Sequence, residues 1–239
     1  MKDYRISHQS IRKTDQYERM IYRAGSYDDR IWEIEQGILA RELASYSTGD
    51  ALDFACGTGR ITVFLEDKVT HVTGVDIASE MIDEARHKTV RAEYIVADLT
   101  VADVFKDRTF NIITAFRFFL NAQSELREAA LKVLVPKLHD SQSIFIANVH
   151  GNSMSYRFFT KILFTLRGRK LNTMSVMSAR RLFRAHGLEV VRWYGIGVVP
   201  KFFYRFGAPF WNMCDRVCVR IPFFKYIAYD LVFVFRKSQ

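Results

Sequence analysis

From residue 51 to residue 150 the chain alternates between short apolar runs and amphipathic stretches, and this rhythm restricts the folds open to it more than any other feature. ALDFAC (51–56), HVTGVD (71–76), AEYIVAD (92–98), FNIITAF (110–116) and SIFIANVH (143–150) read as strands. Helices fall between them: one from Ile61 to Glu66, one capped by Ser79 and running to about His87, and one from Ser124, its expected N-cap, to Leu138. Several strands are almost continuously apolar, the pattern of a sheet covered on both faces. Strands that alternate with helices are joined by crossovers and build a mostly parallel sheet. The rhythm resumes with a helix from Ser178 to His186, stopped by Gly187, and with the strands LEVVRWYG (188–195) and AYDLVFVFRK (228–237). Before residue 50, Ile31, Ile34, Ile38, Leu39 and Leu43 recur at helical spacing, and Ser47-Thr48-Gly49 stops the run.

The residues that carry chemistry lie at the ends of the first three strands. Asp53-Phe54-Ala55-Cys56-Gly57-Thr58-Gly59-Arg60 leaves a strand and opens a helix. Glycines there let the backbone turn tightly and approach a ligand at the carboxyl edge of the sheet. Asp76 ends the second strand, where a carboxylate can accept from both hydroxyls of a ribose. Asp98 ends the third, within reach of an adenine amine. Two nucleoside ligands fit such a set, NAD and S-adenosylmethionine. The dinucleotide pattern wants a third glycine where Thr62 stands, and Asp53 would repel a pyrophosphate at the helix N-terminus. S-adenosylmethionine has no phosphate and carries an ammonium and a sulfonium, both of which an aspartate favours.

The stretches ALDFACGTGRIT, VTGVDIASEMIDEAR and YIVADLT, in that order, resemble the class I S-adenosylmethionine-dependent methyltransferases. The resemblance runs from about Asp50 to Asn148 and includes the closing strand. It implies a Rossmann-like α/β fold: a doubly wound, seven-strand, mostly parallel sheet with N-terminal helices and a C-terminal aromatic and basic insertion. The chain is then one domain over 1–239, with helices in 1–49, a cofactor-binding core in 50–150 and a substrate-side half in 151–239. Within that half, 152–177 and 196–227 break the rhythm and read as additions near one end of the sheet. By resemblance Gly57 and Gly59 lie against the methionine moiety, and Asp76 holds the ribose. Ile77 and Met81 flank the adenine, and Asp98 with the Leu99 backbone reads its edge. Asp53, Ala55 (in place of the family's first loop glycine) and Phe116 complete the expected cofactor set. Arg117 and Asn121 follow the fourth strand, where the family positions its acceptor, and His150 ends the fifth, placed to act as a general base.

Charge is unevenly spread. Residues 151–239 carry 16 Lys+Arg against three acids, whereas residues 1–150 carry 19 against 23. Between Phe202 and Tyr229 stand ten aromatics threaded with Lys201, Arg205, Arg216, Arg220 and Lys225, and Arg167, Arg169 and Lys170 form a second basic group. Three readings compete for this half. It is a cap with its aromatics in the core, a peripheral surface for anionic lipid through 201–229, or a nucleic-acid surface. The absence of an Asn-Pro-Pro-aromatic motif weighs against the last. The acceptor is expected to be a small or lipid-linked molecule bearing a hydroxyl, amine or acid. Cys56, Cys214 and Cys218 make neither a disulfide framework nor a zinc pattern, so no metal is expected. With no apolar N-terminal run, the sequence reads as cytoplasmic, with a peripheral place at the inner face of a membrane as the alternative.

Overall fold

The computed structural model describes residues 26–46, 48–168 and 171–238. Its centre is a seven-stranded sheet made of β1 (Asp50–Phe54), β2 (His71–Asp76), β3 (Glu93–Val96), β4 (Ile112–Ala115), β5 (Ile144–His150), β6 (Leu188–Ile196) and β7 (Asp230–Lys237). The strand order is β3-β2-β1-β4-β5-β7-β6. β1 to β5 pair in parallel, and β7 runs antiparallel to both β5 and β6. The mostly parallel, doubly wound sheet is therefore as expected, with one antiparallel strand inserted next to the edge.

The apolar runs bury both faces of this sheet, with a period of two. On one side Phe145, Ala147, Phe233 and Phe235 join Phe119 and Phe183. On the other, Ile146, Val232 and Val234 join Ile31, Leu39 and Leu65. Helices α1 (Tyr27–Leu43), α2 (Arg60–Glu66), α3 (Ser79–Arg86), α4 (Ser124–Leu134), α5 (Arg157–Leu166) and α6 (Val176–Arg184) follow in chain order. α1 starts where the Ser26 side chain accepts from the Asp29 N–H, and its first turn carries Asp28 and Asp29, which suit the positive end of the helix dipole. Its buried face is Tyr27, Ile31, Glu35, Ile38, Leu39, Glu42 and Leu43. Of the N-terminal helices expected in 1–49, residues 1–25 and Ser47 lie outside the described residues.

Several element ends differ from expectation. Ser79 and Ser124 are first helical residues rather than caps; Ala78 and Gln123 take the cap positions with no side-chain bond. At Ala78 the cap comes instead from Asp76, whose Oδ1 accepts the Ala78 N–H at 3.0 Å. α4 stops at Leu134, since Leu138 leaves the helix to bridge Phe110 beside the sheet. α6 begins at Val176, because Ser175 caps it by accepting from the Ser178 N–H.

The two additions are helical. Residues 152–177 contain α5, and 196–227 form a 3-10 helix (Lys201–Phe206), α7 (Ala208–Arg220) and α8 (Phe224–Ile227) between β6 and β7. The aromatics of this second insertion do not form a core. None of the ten between Phe202 and Tyr229 is buried, and Phe202, Phe206, Phe210 and Phe223 are 56–71% exposed. The version of the cap that placed them in the core is thus corrected: both faces of the sheet are already filled by strand and helix side chains. Arg169 and Lys170 lie outside the described residues, as do the side chains of Arg205 and Arg220.

Candidate functional site: a cleft at the carboxyl edge of the sheet

The loops after β1, β2, β3 and β4 open one cleft of about 1030 Å³, counted out to its mouth. Asp53, Ala55, Gly57, Asp76, Ile77, Met81, Asp98, Leu99, Phe116 and Arg117 all line it. Among the described residues its lining runs from Asp53 to Leu126, with none from the C-terminal half.

The β1–α2 loop makes the floor. Ala55, Gly57 and Gly59 all take positive φ, of 56°, 57° and 79°. A Cβ on Gly57 would meet only Met81 Sδ at 3.6 Å, so the backbone there is bare toward the cleft. Gly59 is packed by the protein itself. It is absent from the cleft lining, and a Cβ there would stand 2.8 Å from both Ala85 and the Tyr94 hydroxyl. It lets α2 and α3 close on the sheet, the helix–strand packing role of a loop glycine.

Each of the three acids is already hydrogen-bonded by the protein. Asp53 is 1% exposed; the Thr62 hydroxyl donates to its Oδ2 (2.7 Å) and the Thr114 hydroxyl to its Oδ1 (2.8 Å). Burial pushes its carboxyl up to about 6, with the two threonine bonds pulling the other way. Thr62, which broke the dinucleotide pattern, is thus a partner of Asp53. Asp76 Oδ2 accepts the Gly57 N–H (2.9 Å) while its Oδ1 holds Ala78, so this one side chain ties the β1 loop to the start of α3. Asp98 Oδ1 accepts both the N–H (2.9 Å) and the hydroxyl (2.5 Å) of Thr100 and closes its own turn.

Other residues of this edge could not be found by pattern. Arg60 lines the cleft, lies over the Trp32 ring at 4.5 Å and pairs with Glu35 at 3.3 Å. Glu35, 1% exposed on α1, also accepts from Asn148 Nδ2 of β5 at 2.6 Å. Arg117 sits at the cleft wall in a left-handed conformation, φ 60°. Asn121 is not in the lining; it is exposed, and its side chain donates to the Arg117 carbonyl at 2.6 Å, bracing that turn. His150 ends β5 opposite Asp230, and its side chain lies outside the described residues. Burial pushes the Cys56 thiol well above its ordinary range, which disfavours the thiolate. No cluster of metal-ligating side chains occurs among the described residues.

A glycine loop and three strand-end acids stand on a sheet with the order of the Rossmann-like methyltransferase fold. Residues 51–138 match the family model described as a methyltransferase domain. The fold is shared with magnesium protoporphyrin IX methyltransferase from Synechocystis with bound SAH, at TM-score 0.66 and 16% identity over 98% of this chain and 97% of that one. It is shared equally with the N-methyltransferase NodS of Bradyrhizobium japonicum with SAH, at TM-score 0.67 and 12% identity over 99% and 100% of the two chains. By sequence the chain is 38% identical over 82 residues to a demethylmenaquinone methyltransferase of Thermotoga maritima, covering 32% of this chain and 35% of that protein. It is 27% identical over 123 residues to an uncharacterized methyltransferase of Staphylococcus carnosus, covering 50% and 56%. The chain spans about half the length, or less, of the curated relatives it matches.

Both of those solved structures hold S-adenosylhomocysteine, and the chemistry of this cleft fits S-adenosylmethionine. The open backbone at Gly57, the buried anion at Asp53 and the apolar Ile77, Met81 and Leu99 suit an amino-acid end, a cationic centre and an adenine in turn.

Proposed function

We propose that the protein is an S-adenosylmethionine-dependent methyltransferase acting on a small-molecule or lipid-linked hydroxyl, amine or acid. The observation that carries this reading is the single cleft in which Asp53, Asp76 and Asp98 surround the left-handed loop of Ala55 and Gly57. Asp76, held at both oxygens by backbone N–H groups, is fixed in place to accept from the two ribose hydroxyls. Ile77 and Met81 supply an apolar slot for the adenine, and Asp98 beside Leu99 stands at its polar edge. Asp53 gives the cleft a fixed negative charge, and Phe116 gives it a dry wall. S-adenosylmethionine supplies an electrophilic methyl on a good leaving group. The protein's remaining work is alignment and exclusion of water. Arg117, on the wall next to β4, is the group for an anionic part of the acceptor. His150, at the end of β5, is our candidate base for the acceptor's proton.

The test uses methyl-labelled S-adenosylmethionine and a cell lysate divided into lipid, nucleic-acid, protein and small-molecule fractions. Label should pass to the small-molecule or lipid fraction. Asp76→Ala should abolish both the transfer and the rise in melting temperature that S-adenosylmethionine gives the wild type. Asp76→Ala that still binds the donor normally overturns the assignment, and label in nucleic acid overturns the acceptor class. His150→Ala should lower turnover by about 10²–10⁴ with donor affinity unchanged; a rate within a few-fold of wild type removes His150 as base.

A further inference from the structure

α5 contains no buried residue. Its apolar side chains Phe158, Phe159, Ile162, Leu163 and Leu166 share one helical face, and all five are 45–79% exposed. The second insertion repeats the pattern. Phe206, Phe210, Met213 and Val217 follow one another at steps of four, three and four residues, and are 53–71% exposed. An amphipathic helix in a folded chain ordinarily turns its apolar stripe inward; both of these turn it outward.

The two stripes stand on the same edge of the sheet. Tyr156, just before α5, stacks on Tyr229 at 5.1 Å, just before β7. Asn152 Nδ2 donates to the carbonyls of Tyr226 (2.6 Å) and Ala228 (2.9 Å), which joins the approach to α5 with the end of the second insertion. This is the carboxyl end of β5, the edge on which the cleft opens.

Charge says what covers them. Residues 152–177 contain no acid, and 196–227 contain one, Asp215. Asp215 is 2% exposed, its Oδ1 holding the N–H groups of Val198 (2.6 Å) and Val199 (3.0 Å). Neither insertion therefore shows a carboxylate to its surroundings. Of their cations, Lys161 and Arg167 are exposed, while Lys225 lies over the Trp193 ring at 4.4 Å and Arg157 over the Tyr229 ring at 4.3 Å. Lys201 and Arg216 are partly answered by Asp28 (3.0 Å) and Glu33 (4.0 Å) of α1. Aromatic and aliphatic stripes flanked by cations, with no exposed acid of their own, complement the boundary of an anionic bilayer, where rings enter the acyl region and cations meet phosphate. Such a pair of stripes exceeds the scattered exposed apolar residues normal for a monomer.

We propose that α5 and the 3-10/α7 segment dock the protein on an anionic lipid bilayer with the cleft edge toward it, so that the methyl acceptor is a lipid or lipid-linked molecule. The acceptor half rests on the methyl-transfer reading; the docking half does not.

The full chain is sedimented with vesicles of phosphatidylcholine alone and with a third of the lipid replaced by phosphatidylglycerol. Wild type should sediment with the anionic vesicles and stay free of the neutral ones. Phe159→Ser with Leu166→Ser, and separately Phe206→Ser with Phe210→Ser, should each lower the bound fraction constant by about tenfold or more, the scale of losing two apolar anchors. These side chains are exposed, so melting temperature and donor stabilisation should not change. Folded, donor-stabilised protein that stays in the supernatant overturns the docking. So does equal binding to neutral vesicles, or a dimer in solution that the serine variants dissolve without any vesicle binding. Vesicle binding by a protein that S-adenosylmethionine does not stabilise keeps the docking and removes the methyl-transfer reading.

Discussion

At the scale of single residues, Asp53 is a carboxylate where water does not reach it, and its proton affinity rises for that reason, to about 6. Its unfolded value is near 3.9. The folded state thus binds the proton more tightly, so the stabilising contribution is complete below about pH 4 and is lost as pH rises through about 6. At pH 7.5 the fold bears a buried anion that a cationic ligand then neutralises. Asp53→Asn should therefore raise the stability of the ligand-free protein at pH 7.5 by on the order of 2 kcal/mol, since the Thr62 and Thr114 hydroxyls can turn to meet an amide. The same variant should bind S-adenosylmethionine about tenfold more weakly. In wild type the donor's affinity should fall as pH drops through about 6, and in the variant that fall should be missing. Calorimetric titration of both between pH 5 and 8 checks the pair of effects. Ala55 offers a second, simpler reading. An alanine at φ 56° is held in a conformation glycine adopts freely. Ala55→Gly should stabilise the fold by roughly 0.5–1 kcal/mol in denaturant melts, net of glycine's larger chain entropy.

α1 shows what an element contributes. It closes one face of the sheet through Ile31, Leu39 and Leu43, but it also sends Glu35 into the interior, to Asn148 of β5 and Arg60 of α2. A buried carboxylate is tolerable only with such partners. Removing it takes an acceptor from Asn148, 0% exposed, and an ion-pair partner from a mostly covered Arg60. Glu35→Ala should cost about 3 kcal/mol, which is about 6–12 °C in melting temperature for a chain of this length. Glu35→Gln keeps the bond to Asn148 and should cost clearly less. Since Arg60 lines the cleft, Glu35→Ala should also weaken donor binding at temperatures where the protein is folded. A loss of stability with donor affinity untouched would confine the Glu35 contact to scaffolding.

For the molecule as a whole, the first described helix and the last strand belong to one core: Ile31 and Leu39 pack in the same cluster as Val232 and Val234. We therefore expect one cooperative unfolding transition for the chain, by calorimetry and by circular dichroism alike. A donor at a hundred times its dissociation constant should stabilise by about 2.7 kcal/mol, moving that single transition by about 5–10 °C. Two transitions, of which only one moves, would divide the chain into separately folding parts.

The period of the apolar residues was enough to set the seven strands, their burial on two faces and the position of the cleft. Alternation is a local property, and strand ends in a crossover sheet gather at one edge by topology. Asp53, Asp76 and Asp98 were legible for the same reason, each being the last polar residue of an apolar run. The tertiary structure decided what depends on residues far apart in the chain. Thr62 and Thr114 meet on Asp53, and Glu35 reaches Asn148 across 113 positions. Gly59 packs against Ala85 and Tyr94, because the space behind a loop belongs to whatever helix and strand pack there. Asn121 turned back on Arg117 by a bond no spacing forecasts. The aromatics of 201–229 looked equally fit for a core or a surface. Composition gives hydrophobicity but not direction, and it was the sheet, already covered on both faces, that left those rings outside.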